Sequence, residues 1–468
     1  AGNSPPMLSS CLGGRVILCV MGAAAIACGS VKSNNLADAP PTPDAPAGPV
    51  TVTVLSFVGD GAADATAKVV FQDPDGGLVT DVAVDTAGKA QAMMPRGGSV
   101  TVVRIGTDNA TSLTAVSTTM TGVKAGDDLT FGLKPVGTLV NQGGQTTMTA
   151  TFTPLPQTQT PARYDFYTAC GVASAVPPLA APTVTLTFRD SCHGATFDLL
   201  VVASGGALTT PMFARLTNVA HQSGGAFTIP AGFTTMNNFT VNLTNVADPI
   251  TSLVLTRSSV IDNIPVAPQT SASVDPPAGA TSAVVPFAQA FGTRSLVQVA
   301  LARGDAKGMT QTYEVMTPTL AQPVAIDASK LTLPWLTSYA MSSTGVSWSI
   351  VAAGDAPDGM VTQWAGRWTI GNKVTTLVWR VVQPADATGM TLPKLPAAYA
   401  NVDPGQQIVG VTPVIAVTTA VDFDQANGYD DFRRAPETLI SAASSLGVSI
   451  GMPYQRRTST ISARLGVR

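Results

Sequence analysis

The chain has 468 residues, of which 45% are hydrophobic and 12% charged, with a formal net charge of -3. That length suits about three domains of roughly 150 residues, and so sparse and balanced a charge offers no field to gather nucleic acid or anionic lipid. Glu314 and Glu437 are the only glutamates, so the acidity comes from Asp, a turn former, and with plentiful Thr, Val, Gly and Pro this predicts strands joined by turns.

The first predicted element is an export signal. Arg15 precedes an apolar run from Val16 to Ala27 that closes in small residues, the order of a secretory signal, and the run is shorter than the roughly 20 residues that span a bilayer. The segment Ala25-Ile26-Ala27-Cys28-Gly29 resembles the lipobox of bacterial lipoproteins, although Ile26 and Ala25 depart from its commonest residues. The resemblance implies cleavage before Cys28 and its lipidation. With Gly29 in place of the Asp that favours inner-membrane retention, it also implies the outer membrane or cell surface of a diderm bacterium. The signal is therefore assigned to residues 1–28. Residues 29–49, containing Ala39-Pro40-Pro41-Thr42-Pro43-Asp44-Ala45-Pro46, read as an extended Pro/Ala-rich tether.

From 50 to 135 the sequence predicts a first β-sandwich. Val50 to Phe57 alternates, Ala65 to Phe71 is a β-branched run, and further strands fall at Leu78 to Asp85, Ala90 to Met94 and Ser99 to Ile105. They recur at roughly 8–12 residue spacing with turn chemistry between them. The run Val69-Val70-Phe71-Gln72-Asp73-Pro74-Asp75-Gly76, then Thr80 to Ala90 and Pro95 to Val102, resembles carboxypeptidase regulatory-like and bacterial Ig-like surface domains. That resemblance implies a transthyretin-like sandwich serving as spacer or interaction module, without peptidase chemistry. Asp73, Asp75 and Gly76 open like a calcium loop, but no further ligands follow in register, so they read as a plain turn.

Short apolar runs continue at Met148 to Phe152, Tyr164 to Tyr167, Thr183 to Phe188, Phe197 to Val202, Phe239 to Leu243 and Leu253 to Arg257. They predict a second β domain over 136–280, with Pro276 to Gly279 as its boundary. Of the five cysteines, Cys11, Cys19 and Cys28 belong to the N-terminal segment. Cys170 and Cys192 remain for the folded body, and in an exported chain they are expected to form a disulfide. A metal or nucleophile site at Cys170, Cys192 and His193 lacks enough ligands.

The third β domain, 281–468, holds all five tryptophans: Trp335, Trp348, Trp364, Trp368 and Trp379. A two-residue Gly371-Asn372 turn predicts a hairpin, and counting outward sets Ile370 opposite Lys373, Trp368 opposite Thr375 and Trp364 opposite Trp379. Such an aromatic face is either a sandwich core or an exposed platform for sugar rings. The polar opposite face, with Arg367 and Arg380, favours the core and leaves Trp335 and Trp348 as the candidates for exposure and ligand binding. Asp422 to Asp431 collects oxygen ligands, but their spacing misses a calcium loop and reads as an acidic solvated loop. Ser459 to Val467 predicts a closing strand.

No catalytic residue can be nominated. The only histidines are His193 and His221, neither beside a Gly-x-Ser-x-Gly elbow. The aspartates sit in turns such as Gly59-Asp60-Gly61 and Gly354-Asp355-Ala356, and no Gly-rich phosphate loop opens a helix. The fold class is therefore all-β, tandem antiparallel sandwiches after a signal peptide and tether. The function expected is a non-enzymatic, lipid-anchored display protein, an adhesin or scaffold, without cofactor or metal. Its partners are a membrane through the N-terminal lipid and polysaccharide or surface proteins, not nucleic acid. Carbohydrate binding through exposed tryptophans is the alternative.

Overall fold

A computed structural model describes residues 47–56, 62–132, 145–178, 182–189, 194–246, 250–261, 264–274, 279–288, 291–292, 294–303, 309–317, 324–330, 332–351, 354–407, 410–435 and 454–464. Nearly all of the regular structure there is β, and the chain is all-β with its strands arranged in several sheets. None of the described helices is long and apolar enough to cross a membrane.

The backbone of the fold is a 12-stranded sheet. In spatial order it runs Ile264–Val274, Ile250–Ile261, Arg294–Arg303, Thr310–Thr317, Tyr454–Arg464, Thr412–Phe423, Gly359–Ile370, Lys373–Gln383, Ser112–Val123, Gly98–Asp108, Lys68–Gln72 and Leu78–Ala83. Two seams join segments distant in sequence. Lys373–Gln383 pairs parallel with Ser112–Val123, Trp379 lying beside Ser117 and Val381 beside Thr119. Thr310–Thr317 pairs antiparallel with Tyr454–Arg464.

Three-stranded sheets cover this spine. Gly48–Val54, Lys89–Met94 and Asp128–Phe131 form one, whose Val50, Val52 and Phe131 share a core with Val69, Phe71, Val100 and Val102. Trp335–Ser342, Gly345–Val351 and Gly389–Thr391 form another, whose core includes Trp364, Trp379 and Leu377 together with Val70 and Val103. Neighbouring residues of one strand thus enter different cores: Val69 and Phe71 one, Val70 the other. Period-two alternation places them on opposite faces, and a sheet covered on both sides carries near-continuous apolar runs.

Asn237–Val246, Gly279–Phe287 and Val324–Asp327 cover the far end of the spine, where Phe239, Val285, Leu255 and Val299 share a third core. Of the stretch Pro276 to Gly279, expected as a boundary, 276–278 lie outside the described residues and Gly279 opens the strand Gly279–Phe287. A fourth core lies off the spine, between a five-stranded and a three-stranded sheet built from residues 145–235. A small cluster of Leu200, Val202, Phe213, Met236, Ala288 and Phe291 links it to the third.

The strands of the first sandwich lie where the sequence placed them, at Gly48–Val54, Lys68–Gln72, Leu78–Ala83, Lys89–Met94 and Gly98–Asp108. The Gly371 hairpin has the counted register, with Ile370 on Lys373, Trp368 on Thr375 and Trp364 on Trp379. Gly371 has φ 57°, as a two-residue hairpin turn needs. The closing strand is Tyr454–Arg464. Two residues along from Trp364, a Cβ on Gly366 would sit 2.1 Å from the Trp364 ring. The Gly366→Ala variant should therefore be overpacked, losing about 1–3 kcal/mol in chemical denaturation.

Candidate functional site

Cys28, where lipidation is expected, and Cys192, the expected disulfide partner of Cys170, lie outside the described residues. Cys170 sits in the tight turn between Arg163–Thr168 and Gly171–Ala175, half-buried against the fourth core, its N–H donating to Thr168 Oγ1 at 3.1 Å.

The exposure expected of Trp335 and Trp348 is corrected by the structure: they are 7% and 4% exposed and lie in the same core as the other three tryptophans. They belong to the sheet that covers the spine and lie in one core with Trp364 and Trp379. Counting along the Gly371 hairpin alone does not show that partner sheet. No sugar platform is formed by these rings. Two of the five rings also bond through their polar edges: Trp379 Nε1 donates to Thr119 Oγ1 at 2.9 Å, across the parallel seam, and Trp364 Nε1 to Ser342 O at 3.2 Å.

The acidic stretch 422–431 is only partly solvated: Asp422 and Asp430 are paired with cations, whereas Asp424 and Asp431 are exposed. Arg457 pairs with Asp422 at 2.8 Å and with Asp355 at 2.7 Å. Asp431 Oδ2 accepts from Asn427 N–H. At the other turn, Asp73 Oδ1 accepts from the N–H groups of Asp75 and Gly77. Among the described residues no group of three or more His, Cys, Asp or Glu could hold a metal ion.

The most concentrated polar chemistry lies where the chain after Thr412–Phe423 folds back on the parallel seam. Gly428 leads into the single helical turn Tyr429–Phe432. The Tyr429 hydroxyl sits between the carbonyls of Thr121 and Val382, at 2.8 and 2.9 Å, one from each strand of the seam, and burial pushes its phenol pKa well up. Phe432 packs where Gly359 has no side chain; a Cβ there would lie 2.3 Å from its ring. Arg433 is fully buried. Its Nη2 lies 2.7 Å from Asp127, also fully buried, its Nη1 lies 2.8 Å from Asp430, and Nη1 donates to Gly122 O at 2.7 Å. Arg434 meets the other oxygen of Asp127 at 2.7 Å, and Lys124 meets Asp430 at 2.5 Å. Burial works to raise the Asp430 pKa, but Lys124 and Arg433 outweigh it and hold the carboxyl below its ordinary value.

Buried charges survive only when paired and hydrogen-bonded, so this clasp fixes residues 429–435 to the 121–127 turn with one geometry. It holds strands together, and the charges neutralise each other rather than face a substrate. Sequence reasoning passed over it. The signal lay in Asp430 and Arg433, three apart on one turn, followed by a second arginine. The partners Lys124 and Asp127 are some three hundred residues away in sequence and give no local sign.

Three further polar groups, at Glu314, Arg257 and His221, are engaged within the fold. Glu314 pairs with Arg456 at 3.0 Å inside the antiparallel seam. Arg257 follows Leu253 and Leu255 on the core face and stacks on Phe287 at 4.4 Å. Burial lowers its pKa to about 10. His221 Nε2 lies 2.9 Å from Thr146 Oγ1 and its ring packs edge-on against Phe188.

No protein-family model matches the chain, and no curated protein matches it in sequence. Among solved structures, it is similar to the Bacillus anthracis TIE protein at 11% identity and a TM-score of 0.16, covering 60% of this chain and 50% of that one; the chain thus spans half of that protein's length. A streptococcal ancillary pilin follows at 8% identity and 0.16, covering 60% and 98%. A putative adhesin from Bacteroides ovatus follows at 9% and 0.16, covering 61% and 94%. At this level of likeness, the all-β assignment rests on the chain's own strand pairing.

Proposed function

We propose that this chain is an exported, lipid-anchored protein that displays non-catalytic β-sandwich interaction modules at the bacterial surface, as an adhesin or scaffold. The observation that carries the reading is the spine: one sheet runs through three of the cores, and the charges described within it are spent on holding strands together. Such a body is rigid and presents surface rather than a reaction centre. The Cys28 segment and the Pro-rich stretch after it support a lipid anchor and a spacer that sets the body away from an outer membrane. The motif residues 69–102 support a carboxypeptidase regulatory-like or Ig-like module at its N-terminal end. A Cys170 to Cys192 pairing belongs to the same reading, supported by the oxidising compartment that an exported chain enters. The partners proposed are the membrane, through the lipid, and other surface proteins. Carbohydrate binding loses support because Trp335 and Trp348 are in the core.

The test is intact mass and membrane fractionation in a diderm host. The wild-type chain is expected in the membrane fraction with a lipid mass on a cleaved Cys28, and Cys28→Ala in the soluble fraction. A soluble or uncleaved wild-type chain would overturn both anchoring and display.

A further inference from the structure

Asn427 is the only asparagine in the chain followed by glycine, and the clasp begins at that pair. Its side chain is exposed, and among the described residues it makes no hydrogen bond, only its backbone N–H being engaged, by Asp431. Gly428 has φ 85°, and nothing lies within 4 Å of the position a Cβ would take, so the residue brings no side chain of its own to hinder its nitrogen from reaching the asparagine amide. The Gly428 N–H itself donates to Asp358 Oδ1 at 3.0 Å. Asp358 is 2% exposed and is held in place by a second bond, Phe423 N–H to its Oδ2 at 2.8 Å. A fixed carboxylate within hydrogen-bond reach of the proton to be removed meets the geometric requirement for a general base.

We propose that Asn427–Gly428 is a self-modification site, at which the Gly428 nitrogen attacks the Asn427 side-chain amide with Asp358 as the base. The Gly428 N–H proton passes to Asp358 Oδ1 as the bond from N to Asn427 Cγ forms. The bond from Cγ to Nδ2 then breaks, and Nδ2 leaves as ammonia, taking the proton back from Asp358. The product is a succinimide spanning residues 427 and 428. Water, the only other reactant, opens either carbonyl of the ring and leaves aspartate or isoaspartate. Both outcomes place a carboxylate beside Asp431, and isoaspartate also lengthens the main chain by one methylene just ahead of Tyr429. The modification therefore bears on the clasp, and it stands independently of the proposed surface function.

The experiment incubates the folded protein, and the same chain in urea, at mildly alkaline pH, with peptide mapping of the 427 region by mass spectrometry. The folded chain is expected to convert faster than the unfolded one, giving the ammonia-loss species and then the acid and isoaspartate forms, and Asn427→Gln is expected to give none. A folded chain that converts more slowly than the unfolded chain would mean that the fold protects this amide, and the proposal fails. In the folded state Asp358→Asn should react about 10²-fold more slowly, the low end of what a positioned base contributes. An unchanged rate would remove Asp358 from the reaction. If that variant does not fold, the folded-against-urea comparison decides alone.

Discussion

Arg433→Met should lower the stability of the seam region by about 3–5 kcal/mol, because it leaves the fully buried Asp127 carboxylate without its buried counter-charge. Arg434 still meets Asp127, but from a side chain 46% exposed, where solvent weakens the pair. The double variant Asp127→Asn with Arg433→Met removes both charges and should recover part of the loss, since a vacated pair costs less than an orphaned charge. A chain with several cores need not unfold in one step, so the measurement is hydrogen exchange at 112–123 and 373–383 across a denaturant series. Equal protection in wild type and Arg433→Met would sink the idea that the clasp holds the seam. The same cluster sets an acid limit. Asp430 has its pKa lowered from 3.8 in the folded state, so its contribution is complete above that value and is lost as pH falls through the lower folded one. The seam of the wild-type chain should therefore open at lower pH than that of Lys124→Met.

The second large effect is expected at Trp379. Its side chain is fully buried and bridges the parallel seam through Thr119, so Trp379→Ala should cost about 3–5 kcal/mol through lost apolar contact and the cavity left behind. Trp379→Phe keeps most of that contact and gives up the Nε1 donor, leaving the Thr119 hydroxyl with its bond to Thr101 at 2.8 Å; a loss of about 1 kcal/mol follows. Denaturation followed by the fluorescence of the remaining tryptophans reads both. A Phe variant as damaged as the Ala variant would show that the hydrogen bond, and not the packed ring, carries the site.

What the sequence revealed and what it withheld divide along contact distance. The Gly371-Asn372 hairpin was legible to the residue, because a two-residue turn fixes register and every pair from Ile370–Lys373 to Trp364–Trp379 follows by counting. The strands between 48 and 108 were legible for the same reason, each bounded by its own turn. The burial of Trp335 and Trp348 was not, since nothing in their own strands names the sheet they pack against. Ser112–Val123 gives no sign that its neighbour is Lys373–Gln383, and Asp430 and Arg433 look like a solvated charged turn until Asp127 arrives from the other end of the chain. The Pro276 stretch reads as a boundary from its proline and glycine alone, while the strands Ile250–Ile261 and Gly279–Phe287 on either side of it contribute to one core, a contact that local composition does not report.

The parallel seam also dictates an order of events. Ser112–Val123 is made early in the chain, yet the strand that covers its edge comes some 260 residues later, and the turn that clasps the pair comes later still. Until then the first sandwich has an open strand edge, a template for pairing with any passing chain, and loop closure on this scale is slow to find. Assembly should therefore pass through a long-lived intermediate with its first sandwich formed and one flank unfinished. During that interval, rather than after completion, the chain is most exposed to aggregation and most dependent on a holding chaperone.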